Sequence, residues 1–208
     1  MKLFDKVDKT FLINLKKRKD RLDHFIQQVN VHDLGNFEIF EAIDGSLMIE
    51  NNLRLNKGEL GLVHSTIKIL EESLDKKYKK ILIIEDDCLF NENINEIDTY
   101  LDKLPNDWDF VYFGGNHNIH VNSPYPKIVN DKIVKVHNTF ATHCIMIHER
   151  IIEILINELK KFEYPVDIVY QKLQDKYNFY CFNPLVATQM IGFSDIQNTN
   201  VNYTRIIN

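Results

Sequence analysis

Glu85, Asp86 and Asp87 follow without a break on Ile81, Leu82, Ile83 and Ile84 in the stretch KKILIIEDDCLF. Four consecutive aliphatic residues belong in a core, and a short apolar run bounded by charge reads as a buried strand. Three adjacent carboxylates belong in water or on a cation. Two carboxylates about 4 Å apart repel by roughly 4 kcal/mol at an effective dielectric of about 20. A divalent cation turns that cost into attraction. Hard ions such as Mg2+ and Mn2+ choose carboxylate oxygens and take one or two of them together with substrate phosphates. The triplet therefore suits a metal-bridged diphosphate, or else it is an acidic loop that caps a strand and faces solvent. Composition and spacing leave both open.

Three acids at a strand end need elements to position them. Strands are expected over 9–15, 37–45, 80–84, 108–115, 132–137, 143–148 and 179–187, from short apolar runs and their turn signals. Helices are expected over 16–29, 56–77, 93–104, 149–162 and 165–177. In the second of these Leu60, Val63, Ile67, Leu70 and Leu74 recur on one face, and Lys76 and Lys77 close its C-terminal end. Pro105 ends the third helix and Pro165 opens the last. The stretches 116–131 and 189–208 are polar and irregular, and both read as loop. Strands and helices alternate through the first two thirds, the signature of an α/β sheet with parallel strands, while the helix-poor middle makes some strands antiparallel. The expected fold is α/β, a single domain over residues 1–208 with a mixed, mostly parallel sheet flanked by helices. In such sheets ligands bind beyond the carboxyl ends of the strands, where the triplet falls.

A chain of 208 residues can bury roughly 70% of the surface its unfolded form exposes, so it needs no covalent staples. A net charge of -5 and the lack of a long basic run argue against a protein built to hold nucleic acid. Cys88, Cys144 and Cys181 are scattered and form no CxxC pair, which reads as reduced, buried thiols in a reducing compartment. The N-terminal segment has no apolar run long enough for a signal peptide or a membrane span, so the expected location is cytoplasmic. His117, His120, His137, His143 and His148 have neither an HExxH arrangement nor a matching cysteine pair, and are not read as a zinc site.

Taken in order, FLINLKKRKDRLDHF, FEAIDG, KGELGLVHS, ILIIEDDCLF, DFVYFGG, YPVDIVYQKL and FSDI resemble glycosyltransferase family 25, the group of lipooligosaccharide and procollagen galactosyltransferases. Each stretch alone is weak, but the ordered set spreads over nearly the whole chain. The resemblance implies a GT-A-like fold, a UDP-sugar donor such as UDP-galactose or UDP-glucose, and a Mn2+ (or Mg2+) ion. It also implies inversion at the anomeric carbon and an acceptor that is a saccharide or a hydroxylysine-type protein side chain. Glu85-Asp86-Asp87 would be this chain's version of the DxD motif, with Glu85 and Asp87 on the metal and Asp86 at the donor.

The same resemblance marks further candidates. Asn14 at a strand end could hold the base, and Arg18 and Arg21 could pair with phosphate oxygens, although Arg18 among its lysines also reads as a solvated helix start. Asp44 and Gly45 are expected at the ribose, or form a plain turn. Lys57, Glu59 and Ser65 open the helix that the resemblance sets at the nucleotide, where Glu59 could instead serve the helix dipole. An inverting displacement needs a base for the acceptor hydroxyl, and Asp167 is the first choice. It could equally be a first-turn acid of its helix. Asp195 in FSDI is the other candidate, as base or as a late contact to metal or acceptor. One departure stands out: the family has Ser-His after its Gly-Glu-x-Gly segment, whereas here the order is His64-Ser65-Thr66. Two readings compete with the transferase. A sugar nucleotidyltransferase needs a glycine-rich phosphate loop, and LINLKKRKDR contains no glycine. A catalytically inactive GT-A-fold sugar-nucleotide-binding protein stays open.

Overall fold

The computed structural model of the chain describes residues 2–49, 52–119, 125–197 and 199–201. In chain order the first elements are β1 (Lys9–Asn14), α1 (Lys19–Val31), β2 (Glu38–Glu41), α2 (Lys57–Asp75), β3 (Lys80–Glu85), β4 (Cys88–Phe90) and α3 (Ile97–Asp102). The middle holds β5 (Phe110–Tyr112), β6 (Asn116–His117), β7 (Lys127–Ile128), β8 (Ile133–Lys135), β9 (Thr139–Phe140) and β10 (Cys144–His148). There follow α4 (Glu149–Leu159), α5 (Val166–Leu173), β11 (Phe179–Phe182), β12 (Ala187–Gln189), β13 (Gly192–Ser194) and β14 (Thr199–Val201).

The aliphatic run is the middle of β3, and Ile81, Leu82, Ile83 and Ile84 are all sealed from solvent. Both of its faces are covered. Ile81 and Ile83 join Phe11 and Ile13 of β1 under α2, α4 and α5, while Leu82, Ile84 and Leu12 join the cluster under α1 and α3. A strand buried on both faces reads as a continuous apolar run because both alternating rows are core. Fully burying each such side chain contributes about 1.5–3 kcal/mol.

An eight-stranded sheet takes the order β2-β1-β3-β10-β5-β11-β8-β7. β2, β1 and β3 run parallel, β5 and β11 run parallel, and β10 and β8 point the other way. With β7 antiparallel to β8, six of the eight strands share one direction. The expected mixed, mostly parallel sheet flanked by helices is thus present. The three free cysteines are all buried, as their sequence context suggested.

Several local expectations shift. α1 starts at Lys19 rather than at residue 16, because residues 15–18 turn back, with the Arg18 N–H donating to the Leu15 carbonyl. The strand expected over 179–187 divides into β11 and β12, and β12 leaves the main sheet to pair antiparallel with β4. Part of the expected loop 116–131 pairs, β6 with β9 and β7 with β8, and the described part of the tail contains the β13–β14 pair. Two- and three-residue strands carry too few positions to show a period of two, so only their distant partners define them. His120 and residues 202–208 lie outside the described residues. Among the described residues no helix is long and apolar enough to cross a membrane.

Candidate active site

β1, β2 and β3 end side by side, with Ile13 opposite Glu85 and Asn14 opposite Glu41. The chain leaving each strand builds one wall: residues 15–18 after β1, 42–45 after β2 and 85–87 after β3. α2 closes the far side. Its start is fixed by a capping box in which the Asn56 side chain accepts from the Glu59 N–H and the Glu59 carboxylate accepts from the Asn56 N–H. Ser65, fully buried about two turns further on, donates to the Gly61 carbonyl and accepts from the Ile43 N–H, which fastens the 42–45 loop to the helix. Gly45 permits that approach, since a Cβ there would lie 1.6 Å from the Lys57 carbonyl oxygen.

The three acids occupy three different environments. Asp86 is spent on structure: one oxygen accepts from Asn14 Nδ2 at 2.7 Å and the other from Arg21 Nη1 at 2.8 Å. Asp87 holds Oδ2 at 3.5 Å from Arg21, and its Oδ1 is buried without a hydrogen-bond donor. Glu85 accepts a short hydrogen bond from the Thr142 hydroxyl. Burial and the neighbouring Asp87 charge push the Glu85 carboxyl up to about 8. Burial pushes Asp87 up to about 6 against the pull of the Arg21 guanidinium. The pair is a desolvated concentration of negative charge that a cation would relieve.

Two clefts meet at Glu85 and Asp87. The first, of about 520 Å3, is lined by Lys17, Arg21, Asp44, Gly45, Lys57 and Ser65, among others. The second, of about 800 Å3, is walled by Glu59, His117, Phe140, Thr142, Asp167 and Ile168, among others. A strap formed by residues 194–197 contributes to both. The strap crosses the start of α2 at Gly58, where a Cβ would lie 2.6 Å from the Ile196 Cα. Two arginines at the start of α1 hold it and the residue before it: Arg18, at the N-cap, makes a short ion pair with Asp195, and Arg21, in the first turn, donates from Nη2 to the Phe193 carbonyl at 2.6 Å.

No group of three or more His, Cys, Asp or Glu among the described residues is arranged to hold a metal ion by itself. The orphaned Asp87 Oδ1 and the mutually repelling Glu85 nevertheless fit an ion that takes one or two protein carboxylates and completes its shell with substrate phosphate oxygens.

Most of the residues expected from sequence converge here. Arg21, Asp44, Gly45, Lys57, Ser65, Glu85, Asp86, Asp87 and Asp195 line the first cleft. Asn14 lies behind it, buried, holding Asp86 and the Arg18 carbonyl. Arg18 reaches it through Asp195, and is also bound to Asp20 by two hydrogen bonds. Asp44 accepts from Lys17 at 2.8 Å, which holds its carboxyl below the usual range. Asp167 stands apart in the second cleft, at the first turn of α5, where burial raises its carboxyl above the usual range and the Glu59 charge adds to the rise. Of the two candidate bases only Asp167 lines that cleft. Thr66, at the place where the family has histidine, is buried in α2 and lines neither cleft, whereas the His64 ring lies 4.8 Å from that of Phe162.

Sequence reasoning missed Thr142, His117, Gly58 and the strap backbone at Phe193. Only FSDI pointed towards the last. The other histidines are placed by structure: His137 pairs with Asp175, His148 caps α4, and His143 is buried, its ring pushed down to about 4 by desolvation.

With the geometry in place, the chain can be set beside known proteins. Residues 7–170 match the family model described as "Glycosyltransferase family 25 (LPS biosynthesis protein)". The chain is 28% identical over 148 residues to procollagen galactosyltransferase 2 of Mus musculus, covering 59% of this chain and 23% of that protein. It is 25% identical over 132 residues to the inactive glycosyltransferase 25 family member 3 of Homo sapiens, covering 51% of this chain and 22% of that one. The chain thus spans less than a quarter of the length of these curated relatives. A crystal structure of a glycosyltransferase involved in the glycosylation of the major capsid of PBCV-1 superposes with a TM-score of 0.52 over 91% of this chain and 95% of that one, at 15% identity. That likeness is one of fold, and the fold is the expected GT-A-like arrangement. By its match over most of its length, the chain belongs to glycosyltransferase family 25.

Proposed function

We propose that the protein is a hexosyltransferase that moves galactose or glucose from a UDP-sugar to a hydroxyl of a saccharide or a hydroxylysine-type protein side chain, with inversion and with the help of Mn2+ or Mg2+. The observation that carries this reading is the meeting of two clefts at Glu85 and Asp87, the first holding cations among its acids and the second lined by acids alone. The first presents Lys17, Arg21 and Lys57 to an anionic donor, and the second presents Asp167 to an acceptor.

In this reading the uracil and ribose lie along the ends of β1 and β2, by Asp44 and Gly45, and the diphosphate lies towards Arg21. Arg21 has a donor to spare: its Nε is buried without a partner. Asp87 and Glu85 would hold the ion, which when bound supplies Lewis-acid neutralisation of the departing diphosphate. Asp86 positions Arg21 and ties it to Asn14. Asp167 takes the acceptor proton, and the burial that raises its basicity suits it to that role. Asp195, in the first cleft and paired with Arg18, serves the donor side as a positioning residue.

The test is UDP release from UDP-galactose and UDP-glucose with and without Mn2+. Expected is Mn2+-dependent release that a hydroxyl acceptor stimulates, and a loss of about 100-fold or more in Asp87→Asn, the scale of losing a main electrostatic contribution at the reacting centre. Pyrophosphate-dependent UTP formation would instead identify a nucleotidyltransferase. Folded protein that releases nothing from any donor would be an inactive relative, as the human family member 3 is described to be.

A further inference from the structure

The two clefts differ in whether cations stand among their acids. Lys17, Arg21 and Lys57 line the first beside Asp44, Glu85, Asp86, Asp87 and Asp195. Among the described residues that line the second there is no lysine or arginine, while Glu59, Glu85, Asp87 and Asp167 all face it. The acids are not a solvated surface cluster. Asp87 is more than nine-tenths buried, and its Oδ1, at the wall shared by both clefts, has no donor. Phe140, Ile119 and Ile168 complete the second cleft and offer apolar surface to the face of a ring.

We propose, building on the transferase reading above, that the second cleft selects its acceptor by charge: it admits hydroxyl compounds that are neutral or carry an amino group, excludes those that carry a carboxylate or phosphate, and uses Glu59 as the specificity-determining residue. The division of labour among the acids singles out Glu59. Donor and cation occupy Glu85 and Asp87, and Asp167 is committed to the reacting hydroxyl. Glu59 remains to face the rest of the acceptor. Its carboxylate cannot swing away freely, because Oε2 accepts from the Asn56 N–H at 2.8 Å in the capping box. A charge pair at roughly 7 Å and an effective dielectric of about 20 changes affinity by more than tenfold, and screening in an open cleft trims this to about tenfold.

The experiment is equilibrium binding, by ligand-observed NMR, of glucosamine, glucose and glucuronic acid, three closely matched sugars of different charge. It uses the whole chain with UDP and Mn2+ present, and is repeated on Glu59→Gln. Glutamine keeps the side-chain oxygen that the Asn56 N–H needs, so the start of α2 survives the change. Expected is binding of glucosamine at least about tenfold tighter than glucuronic acid, with glucose between them, and a ratio about threefold or more smaller in Glu59→Gln. Equal affinities, a preference for glucuronic acid, a ratio that ignores Glu59→Gln, or no detectable binding of glucosamine would each overturn the proposal. Binding is read apart from turnover, so the two ideas fail separately. Preferential binding of glucosamine by a protein that releases UDP from no donor sinks the transferase reading and leaves charge selection standing.

Discussion

Asp87 keeps one oxygen 3.5 Å from Arg21 and buries the other without a donor, while Glu85 beside it is held by a single hydroxyl. Each carboxyl is easier to protonate in the fold than in the open chain, Glu85 at about 8 against 4.5 and Asp87 at about 6 against 3.8. The folded state therefore binds more protons than the unfolded state between those values, and stability must fall as pH rises through them. Without divalent ions, the unfolding temperature should decline from about pH 4.5 to about pH 8. Glu85→Gln should flatten that decline, which a series of thermal melts would show; an identical slope in the variant would remove Glu85 as its source. Asp167 makes the complementary case for chemistry. Asp167→Asn keeps the side-chain oxygen that accepts from the Ile168 N–H but cannot take a proton. It should lower kcat by about 100-fold or more while leaving the donor Kd within about twofold. A kcat near that of the unaltered protein would assign the base elsewhere. At this scale the sequence was informative where chemistry is carried by residue type: three acids at a strand end announce themselves. It was silent where function rests on pairing. Thr142 reaches Glu85 across 57 positions, and Arg18 reaches Asp195 across 177, and neither separation leaves a periodic trace.

Among the elements, β3 was the most legible because both its faces are core, so every residue from Ile81 to Ile84 had to be apolar. α2 was legible for a different reason: its apolar face repeats at helical spacing and its start carries a capping box. β12, β13 and β14 were not, since three residues cannot display a period and their hydrogen-bond partners lie in distant or equally short segments. The strap depends on one such illegible contact. At Gly58 a Cβ would meet the Ile196 Cα at 2.6 Å and its carbonyl oxygen at 2.9 Å, both backbone atoms that cannot rotate aside. Gly58→Ala should therefore displace the strap. The helix gains up to about 1 kcal/mol in propensity from alanine, and the crowding costs about 1–3 kcal/mol. Overall stability should change by no more than about 2 kcal/mol in denaturant titrations, while the KM for the donor rises several-fold. An unchanged KM would mean that the strap does not shape the donor cleft.

The whole molecule arranges these parts by the direction of its strands. Three parallel strands deliver three loops to one edge of the sheet, and the antiparallel β10 beside them leads out of the segment that carries Thr142, so its other end supports the same edge. The alternation of strands and helices made this α/β plan readable from the sequence. The existence of two clefts was not, because each is assembled from segments more than a hundred residues apart. The -5 net charge likewise says nothing about how charge divides between a first cleft of mixed sign and a second lined by acids without a lysine or arginine among its described residues. The transferase reading requires that Glu85 and Asp87 attract a divalent ion together with a nucleoside diphosphate. The most direct measurement is a Mn2+ titration followed by electron paramagnetic resonance, with UDP present and absent, on the unaltered protein and on Asp87→Asn. The expected result is Mn2+ uptake that UDP strengthens by about tenfold or more and that Asp87→Asn abolishes. Equal uptake by both proteins, or uptake indifferent to UDP, would contradict it.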